Sequence, residues 1–519
     1  MRNPERIVSF LECISPYEGE KLTPECIRSI VRNVIQNKLY VPLFVSRNPM
    51  LREIEDSDDA TFSDEQLSRI ISASPQHHKE AGFTPGWPSR FDTWYKLQKE
   101  LGFLWYEPEE TIVISRTGHM LLDSLRHIPS DNLQIQNLFL NAMVKYRSDN
   151  PLRKTLNSNV PLLLALEAIR RLKVLDPTSP GLSRMELSFL ICWPDEDAEK
   201  LCEFIMEQRK RYRATYTDEI IYNLCLKILG YGEEEKKYVK MEKVSREAVD
   251  DYIRKMKITG VLSLRGNGRF LDYNTLEQKK IDYILSAYPK PVNYKSPREY
   301  FEYMSKVDER LLARSGVNPK DSDNLRRGRL EQIAKNYSGK AIFNELLRVC
   351  KKRESLDPLF KFISAPARLE FLVSIALIQN FETLDVYPHY AVDDEGLPTF
   401  TAPGGVPDIE CMDRKYEELV EVSLGCSHQQ QLNDEMIPIA RHLRDAKKKR
   451  SFVFAIFVAP KIHPDTQLYT EWIKFKSDLD IKVFDIESFI YAIKSNPLLE
   501  NLIKANPVWT EQYGQESQR

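Results

Sequence analysis

The sequence has no C-x-x-C pair. Its eight cysteines (Cys13, Cys26, Cys192, Cys202, Cys225, Cys350, Cys411 and Cys426) are scattered, which excludes a zinc clamp of that kind and the dense disulfide framework of a small secreted scaffold. No apolar run approaches the ~18 residues that cross a bilayer. The opening MRNPERIVSFLECISPYEGE meets acids too early for a secretory signal. The expectation is a cytoplasmic protein that does not engage a membrane. An excess of charge is missing as well: Lys+Arg 74 balance Asp+Glu 76 for a formal net charge of -2. A globally basic nucleic-acid binder is therefore excluded, and any DNA-binding surface has to be a local patch. At 519 residues and 42% hydrophobic content, the chain is long enough for about three domains, each with its own core.

Two segments share an order of elements. In SRFDTWYKLQKELGFLWYEPEETIVISRTGHMLL, the spacing of Phe91, Trp94, Tyr95 and Leu101 predicts a helix that ends at Gly102, followed by two strand-like pieces around EPEE. In VSREAVDDYIRKMKITGVLSLRGNGRFLDYN, residues 244–274, Ser245 reads as an N-cap and Gly260 as the helix stop. VLSLR and RFLDY then close over GNG. A helix followed by a β-ribbon is the outline of a winged helix, which places a helix in the major groove and its wing against the backbone. Arg90, Lys96, Arg116, Arg246, Arg265 and Arg269 are the candidate DNA contacts on these elements. The same folds also serve as protein-interaction modules, in which such side chains only solvate a surface. EQRKRYRATY (Glu207–Tyr216) has the composition to track phosphates and equally that of a solvated helix end. From residue 291 the chain turns polar, charged and helical, a connecting region with Arg326, Arg327 and Arg329 available to a phosphate backbone.

The last third changes character. SAPARLEFLVSIALIQNF (Ser364–Phe381) is an apolar helix carrying one acid, Glu370. GGVPDIECMDRKYEELVEVSLG (Gly404–Gly425) reads as a hairpin with Asp408 entering one strand and Glu421 on the returning one, between Val420 and Val422. Because strand side chains alternate, Val420, Val422 and Leu424 share one face, and Leu419, Glu421 and Ser423 the other. An acid so near apolar neighbours needs a partner, for which a metal ion is one candidate and plain solvent another. SFVFAIFVAP (Ser451–Pro460) is the continuous run of a central strand covered on both sides, between the helical QQQLNDEMIPIARHLRDAKKKR and the strand-into-helix DIKVFDIESFIYAIK. The order predicts an α/β domain with a mixed sheet. The expected organisation is a mainly α N-terminal half with two winged-helix-like subdomains (1–145 and 146–290), a helical linker (291–355) and a C-terminal α/β domain (356–519).

An acid on the first helix, Pro407-Asp408 entering a strand and Glu421-Val422-Ser423 in the next resemble the PD-(D/E)XK nuclease core, with Ser423 where a lysine is usual. The acids Glu370, Asp408, Glu421 and Glu435, followed by PIARHL, are similar to those of the AlwI family of Type IIS restriction endonucleases, whose relatives include strand-specific nicking enzymes. The resemblance covers the whole chain in plan, and its motifs are confined to residues 364–443. It implies double-stranded DNA as substrate, Mg²⁺ held by Asp408, Glu421 and Glu370, and Glu435 as a fourth acid, with Asp434 its open alternative. It also implies a monomer in solution whose cleavage domains dimerise transiently or take a second subunit, and a cognate DNA methyltransferase in the same system. The missing lysine leaves its work to another group, for which the next helix offers Gln429, Gln431, Asp434, Glu435 and Arg441. His442, a lone histidine before Leu443, reads as structural and stays outside the catalytic set. Two other functions stay open: a DNA-binding regulator with a decayed nuclease fold, and a repair-type nuclease without site specificity.

Overall fold

In the computed structural model, residues 6–57, 59–126, 132–153, 157–213, 216–232, 234, 239–288, 294, 296–313, 319–413, 416–496 and 498–504 are described. The chain forms two units, the first made of Met1–Arg52, Phe62–His127 and Asp131–Gly316, the second of Glu53–Thr61, Ile128–Ser130 and Val317–Arg519.

In the first unit both helix-then-ribbon segments form. The helix Trp87–Glu100 buries Phe91, Trp94 and Tyr95, and the short strands Leu104–Trp105 and Val113–Ile114 pair antiparallel after it. The helix Ala248–Lys257 precedes the antiparallel strands Leu262–Arg265 and Phe270–Tyr273, which gain a third strand, Leu182–Ser183. Gly260 has φ +75°, and a Cβ there would lie 1.1 Å from Gln136 Nε2. The stop at that position thus has both a conformational and a packing cause. Ser245 is not the N-cap: a π-helical turn, Lys243–Glu247, runs straight into the α-helix, and the Ser245 hydroxyl donates to the Met241 carbonyl at 3.0 Å. The sequence shows a serine at the right distance from the apolar stripe, but the helical backbone continues upstream of it. In Glu207–Tyr216 the helix Ala198–Tyr212 covers the basic run, and residues 214–215 lie outside the described residues.

The stretch 291–355 is divided between the units. Helices Pro297–Met304 and Glu309–Leu312 belong to the first, held by the buried Lys145 ammonium, which donates to the carbonyls of Met304 (2.8 Å) and Lys306 (2.6 Å). Burial lowers that lysine's pKa to about 7. Helices Pro319–Asn336 and Gly339–Cys350 belong to the second, their Leu330, Ile333, Ile342 and Leu346 lying in its core. Residues 291–293, 295 and 314–318 lie outside the described residues. Arg326 and Arg327 are engaged within the unit, Arg326 by Asp323 (2.7 Å) and Arg327 by Glu331 (3.2 Å) and Asp385 (3.1 Å).

The second unit is α/β. Helix α1 (Ala365–Asn380) precedes β1 (Asp385–Pro388), β2 (Ile409–Asp413) and β3 (Tyr416–Val422); α2 (Ile437–Lys449), β4 (Val453–Ala459), α3 (Pro464–Ser477), β5 (Ile481–Asp485) and α4 (Ile486–Ser495) follow. The sheet order is β5-β4-β3-β2-β1, parallel across β5, β4 and β3 and antiparallel across β3, β2 and β1. This is the mixed sheet that the order of elements predicts. All seven residues of β4 are buried because it is central and covered twice. Phe454, Ile456 and Val458 pack with α1 and α4, while Val453, Ala455 and Phe457 pack with α2 and α3. On β3 the same alternation sends Val420 and Val422 to the first core and Leu419 to the second, so Glu421 lies on the α2 face. Among the described residues, no helix is long and apolar enough to cross a membrane.

Candidate active site

The register of the β2–β3 hairpin builds the site. Val420 pairs with Ile409, so one step further Asp408 comes opposite Glu421, on the same face of the sheet. Side chains extend the ladder there: the Val422 amide donates to Asp408 Oδ2 at 2.8 Å, and the Asp408 amide donates to Glu421 Oε2 at 3.2 Å. From α1, the buried Glu370 accepts the Ala402 amide at 3.0 Å through Oε2. Burial, then the neighbouring acids, hold the Glu370 and Asp408 carboxyls well above the usual carboxylate range, and the single backbone hydrogen bond to each only partly opposes this.

The segment before α2 supplies the fourth acid. Gln430–Met436 is π-helical and runs into α2, where Pro438 stands near the N-terminus. Proline has no N–H to give to the preceding turn, and its ring crowds the carbonyl there, a setting in which a widened turn is favoured. From this turn Glu435 comes beside Ser423, which favours its ionised form, while burial, followed by Glu421 and Asp434, raises its pKa to about 7. Asp434, its neighbour, is exposed, as are Gln429 and Arg441. Gln431 is fully buried and joins two loops instead, donating to the carbonyls of Gly425 (3.0 Å) and Lys461 (2.7 Å) and accepting from the His463 amide and the Thr466 hydroxyl, both at 2.9 Å. Glu370, Asp408, Glu421 and Glu435 are thus close enough to perturb one another, and Ser423 touches the last of them.

His442 belongs to the same cluster, although the sequence reading left it out. Its Nδ1 lies 2.9 Å from Glu421 Oε1, and both side chains are about one-tenth exposed or less, at 10% and 8%. An ionised carboxylate only accepts, so Nδ1 is the donor in this contact, and the ring's other nitrogen is Nε2. That Nε2 is buried with no hydrogen-bond partner among the described residues. The signal that finds it is spacing: Glu435 and His442 stand seven apart, two helical turns, and so share a face.

The candidate DNA contacts all lie in the first unit, each already engaged. Arg90 sits 4.6 Å above the Tyr40 ring with Nη1 2.7 Å from His78 Nε2. Lys96 pairs with Glu80 (3.3 Å), Arg116 with Glu309 (3.4 Å) and Arg246 with Asp218 (2.7 Å). Arg265 is held by Asp272 (2.7 Å), and Arg269 donates to the Gly266 carbonyl (2.9 Å). Arg116 and Arg246 are about 70% exposed, at 71% and 67%, and their exposed pairs exchange readily with solvent and counterions. Arg265, on a buried aspartate, does not.

A model described as the AlwI restriction endonuclease matches residues 99–341 and 317–491, well over half of the sequence. The chain belongs to the AlwI restriction endonuclease family. It is a restriction endonuclease, a hydrolase acting on DNA, and the resemblance read from the acids is borne out. Among solved structures, the small subunit of the heterodimeric restriction endonuclease R.BspD6I is 20% identical, covering 32% of this chain and 84% of that one, with a TM-score of 0.27. Restriction endonuclease FokI, alone and bound to DNA, is 12% identical, covering 97% of this chain and 97% and 96% of those chains, with TM-scores of 0.24 and 0.23. A search of curated proteins gave no match.

Among the described residues, no three His, Cys, Asp or Glu side chains are grouped so as to hold a metal ion as they stand. The chemistry of the donor set nevertheless suits a hard divalent ion. It consists of oxygen ligands whose ionised forms are destabilised by burial and by one another, a penalty that a cation between them reverses.

Proposed function

We propose that this restriction endonuclease is Type IIS: the first unit reads a short asymmetric site in double-stranded DNA, and the second hydrolyses a phosphodiester a few base pairs outside it. The observation that carries the chemistry is the four-carboxylate cluster of buried Glu370 and Glu421 and half-buried Asp408 and Glu435, joined by His442. The helix-and-ribbon segments around Trp87–Ile114 and Ala248–Tyr273 serve as winged-helix-like readers. Arg116, Arg246 and Arg269 are the exposed cations among their candidate contacts, and Arg90, Lys96 and Arg265 support the fold around them.

Asp408 and Glu421, with Glu370, would hold Mg²⁺, which when bound supplies a nucleophile at neutral pH and charge stabilisation at the scissile phosphate. The chain's own groups do the positioning. The Val422 amide fixes Asp408, and the Asp408 amide and His442 fix the two oxygens of Glu421, while Ser423 lies beside Glu435. In-line attack leaves 5′-phosphate and 3′-hydroxyl ends. A cognate DNA methyltransferase protects the host site. The usual lysine being serine, Glu435 takes over the ordering of water, its carboxyl poised near neutrality. Plasmid incubated with the enzyme and Mg²⁺ tests this reading: discrete fragments or nicks, sequenced at a constant offset from one motif, are expected, and a smear or intact plasmid overturns it.

A stability measurement follows from the same acids. Glu435 has a folded pKa raised above its ordinary 4.5 to about 7. The stability it contributes is complete below about pH 4.5 and is lost as pH rises through about 7; Glu370 and Asp408, also raised, act in the same direction. The metal-free enzyme should therefore lose Tm between about pH 5 and 8, and Mg²⁺ should raise Tm more at about pH 8 than at about pH 6, because at the lower pH it has to displace protons. An Mg²⁺-induced shift that is independent of pH would remove these carboxyls from the metal site.

A further inference from the structure

Two loops at the carboxyl ends of β3 and β4 bring two histidines together. His428 opens the helical turn that follows β3, and His463 caps the N-terminus of α3 after β4; their rings meet edge to face with centroids 5.2 Å apart. The buried amide of Gln431 braces the two loops through the carbonyls of Gly425 and Lys461 and the His463 amide. Asp465, in the first turn of α3, addresses both rings through one oxygen: its Oδ2 lies 3.1 Å from His428 Nε2 and 3.8 Å from His463 Nδ1. From a distant stretch of the same unit, Asp59 accepts the His428 amide at 2.7 Å and stands 3.5 Å from His463 Nε2.

The donors fix the hydrogen positions. A backbone N–H can only donate, so the Asp465 amide, 3.2 Å from His463 Nδ1, makes that nitrogen the acceptor and leaves the ring's hydrogen on Nε2, facing Asp59. An imidazole with its lone pair turned toward other donors and its N–H turned toward a carboxylate is the arrangement that orients a metal-bound histidine. The spacing agrees. Two ligands at about 2.0–2.2 Å from a tetrahedral ion stand about 3.3–3.6 Å from each other, and the two distances to Asp465 Oδ2 bracket that separation. The three donors do not enclose an ion as they stand; His428, 49% exposed, is the side chain whose rotation completes the group.

We propose that His428 Nε2, His463 Nδ1 and Asp465 form a second metal site, separate from the carboxylate cluster, for a divalent transition ion of the Zn²⁺ class, with Asp59 orienting His463 from behind. Two imidazoles and one carboxylate fill three of four tetrahedral positions and leave the last to water. Imidazole nitrogen selects such an ion over Mg²⁺, which takes oxygen ligands. The two sites are thus distinguished by donor type. The ion displaces the proton that His428 Nε2 shares with Asp465 and in exchange pins three stretches of chain, at residues 59, 428 and 463–465. The second of these leads directly into the turn that carries Glu435, so the ion stiffens the approach to that acid.

The test is calorimetric titration of the full-length enzyme with Zn²⁺, without DNA and in excess Mg²⁺ to saturate the carboxylate cluster. One Zn²⁺ per chain should bind and raise Tm, and Co²⁺ in its place should give the visible absorption of a tetrahedral site. His428→Ala should weaken Zn²⁺ binding at least about a hundredfold and Asp59→Asn about tenfold to a hundredfold, while Asp408→Asn and Cys426→Ser, the latter two residues before His428, should bind as the wild type does. His463→Ala removes the cap of α3 as well as a ligand, so His428→Ala, on a half-exposed ring, carries the test should that variant unfold. No Zn²⁺ uptake in excess Mg²⁺, or uptake that His428→Ala and Asp59→Asn leave unchanged, overturns the proposal. Uptake lost in Asp408→Asn would put the ion in the carboxylate cluster, and uptake lost in Cys426→Ser would make a thiolate the ligand; either result overturns the assignment too. No cleavage is needed for any of these readouts. A chain that binds Zn²⁺ as described yet leaves plasmid intact overturns the nuclease reading alone.

Discussion

Asp408→Asn and Glu421→Gln are each expected to lower single-turnover cleavage by at least about a thousandfold while leaving site-specific DNA binding within about twofold of wild type. The amides keep the shape of the hairpin: the carbonyl oxygen of an asparagine in place of Asp408 still accepts the Val422 amide, and that of a glutamine in place of Glu421 still accepts from the backbone N–H of residue 408. The ladder at the ends of β2 and β3 therefore survives. What is lost is negative charge where a cation has to sit. Binding is spared because the candidate readers belong to the other compact unit. Removing charge should also raise the Tm of the metal-free enzyme, since the Asp408 carboxyl, disfavoured in its ionised form by burial and by Glu370 and Glu421, no longer has to be accommodated. Cleavage by either variant at near wild-type rate would remove the site assignment. Binding lost together with cleavage would mean that the second unit contributes to readout.

The α/β unit is legible in the sequence because its signals are short-range. The alternation of Val420, Glu421 and Val422 fixes which face each side chain takes, and the unbroken run in β4 can only be a doubly covered strand. Features set by three-dimensional neighbours were less visible. Ser245 looks like a cap until the helix is seen to continue upstream through a π turn. Gln431 has the composition of a site residue, yet its amide is consumed by two loops distant in sequence, at Gly425 and at Lys461, a pairing no local pattern announces. The candidate DNA contacts share this difficulty: an arginine on a ribbon reads the same whether it stays exposed on its own turn, as Arg269 does against the Gly266 carbonyl, or folds back on a buried aspartate, as Arg265 does. The contact that His442 makes is hidden from the sequence for a related reason. A histidine near a helical leucine is usually structural, and only the sheet register that brings Glu421 under α2 shows what this one touches.

His442→Ala should slow single-turnover cleavage by about a hundredfold, and Glu435→Gln by at least about tenfold, with little change in DNA affinity. Both residues are coupled to the same acid, Glu435 by charge and His442 by a 2.9 Å contact to Glu421 Oε1. His442→Gln separates orientation from proton chemistry. A glutamine amide can donate to Glu421 as Nδ1 does but offers no basic nitrogen in place of Nε2, which is buried and has no partner among the described residues. The expectation is that the glutamine variant falls with the alanine one, because a buried nitrogen left without a partner costs about 1–3 kcal/mol of desolvation, a cost that a proton-accepting role for Nε2 would account for. Restoration by glutamine would reduce His442 to a positioning residue for Glu421. Asp434→Asn provides the register control: that side chain is exposed, so a normal rate is expected. A slow Asp434→Asn beside a normal Glu435→Gln would exchange the two acids, and normal rates in both would leave Ser423 and His442 alone to do what the missing lysine does elsewhere.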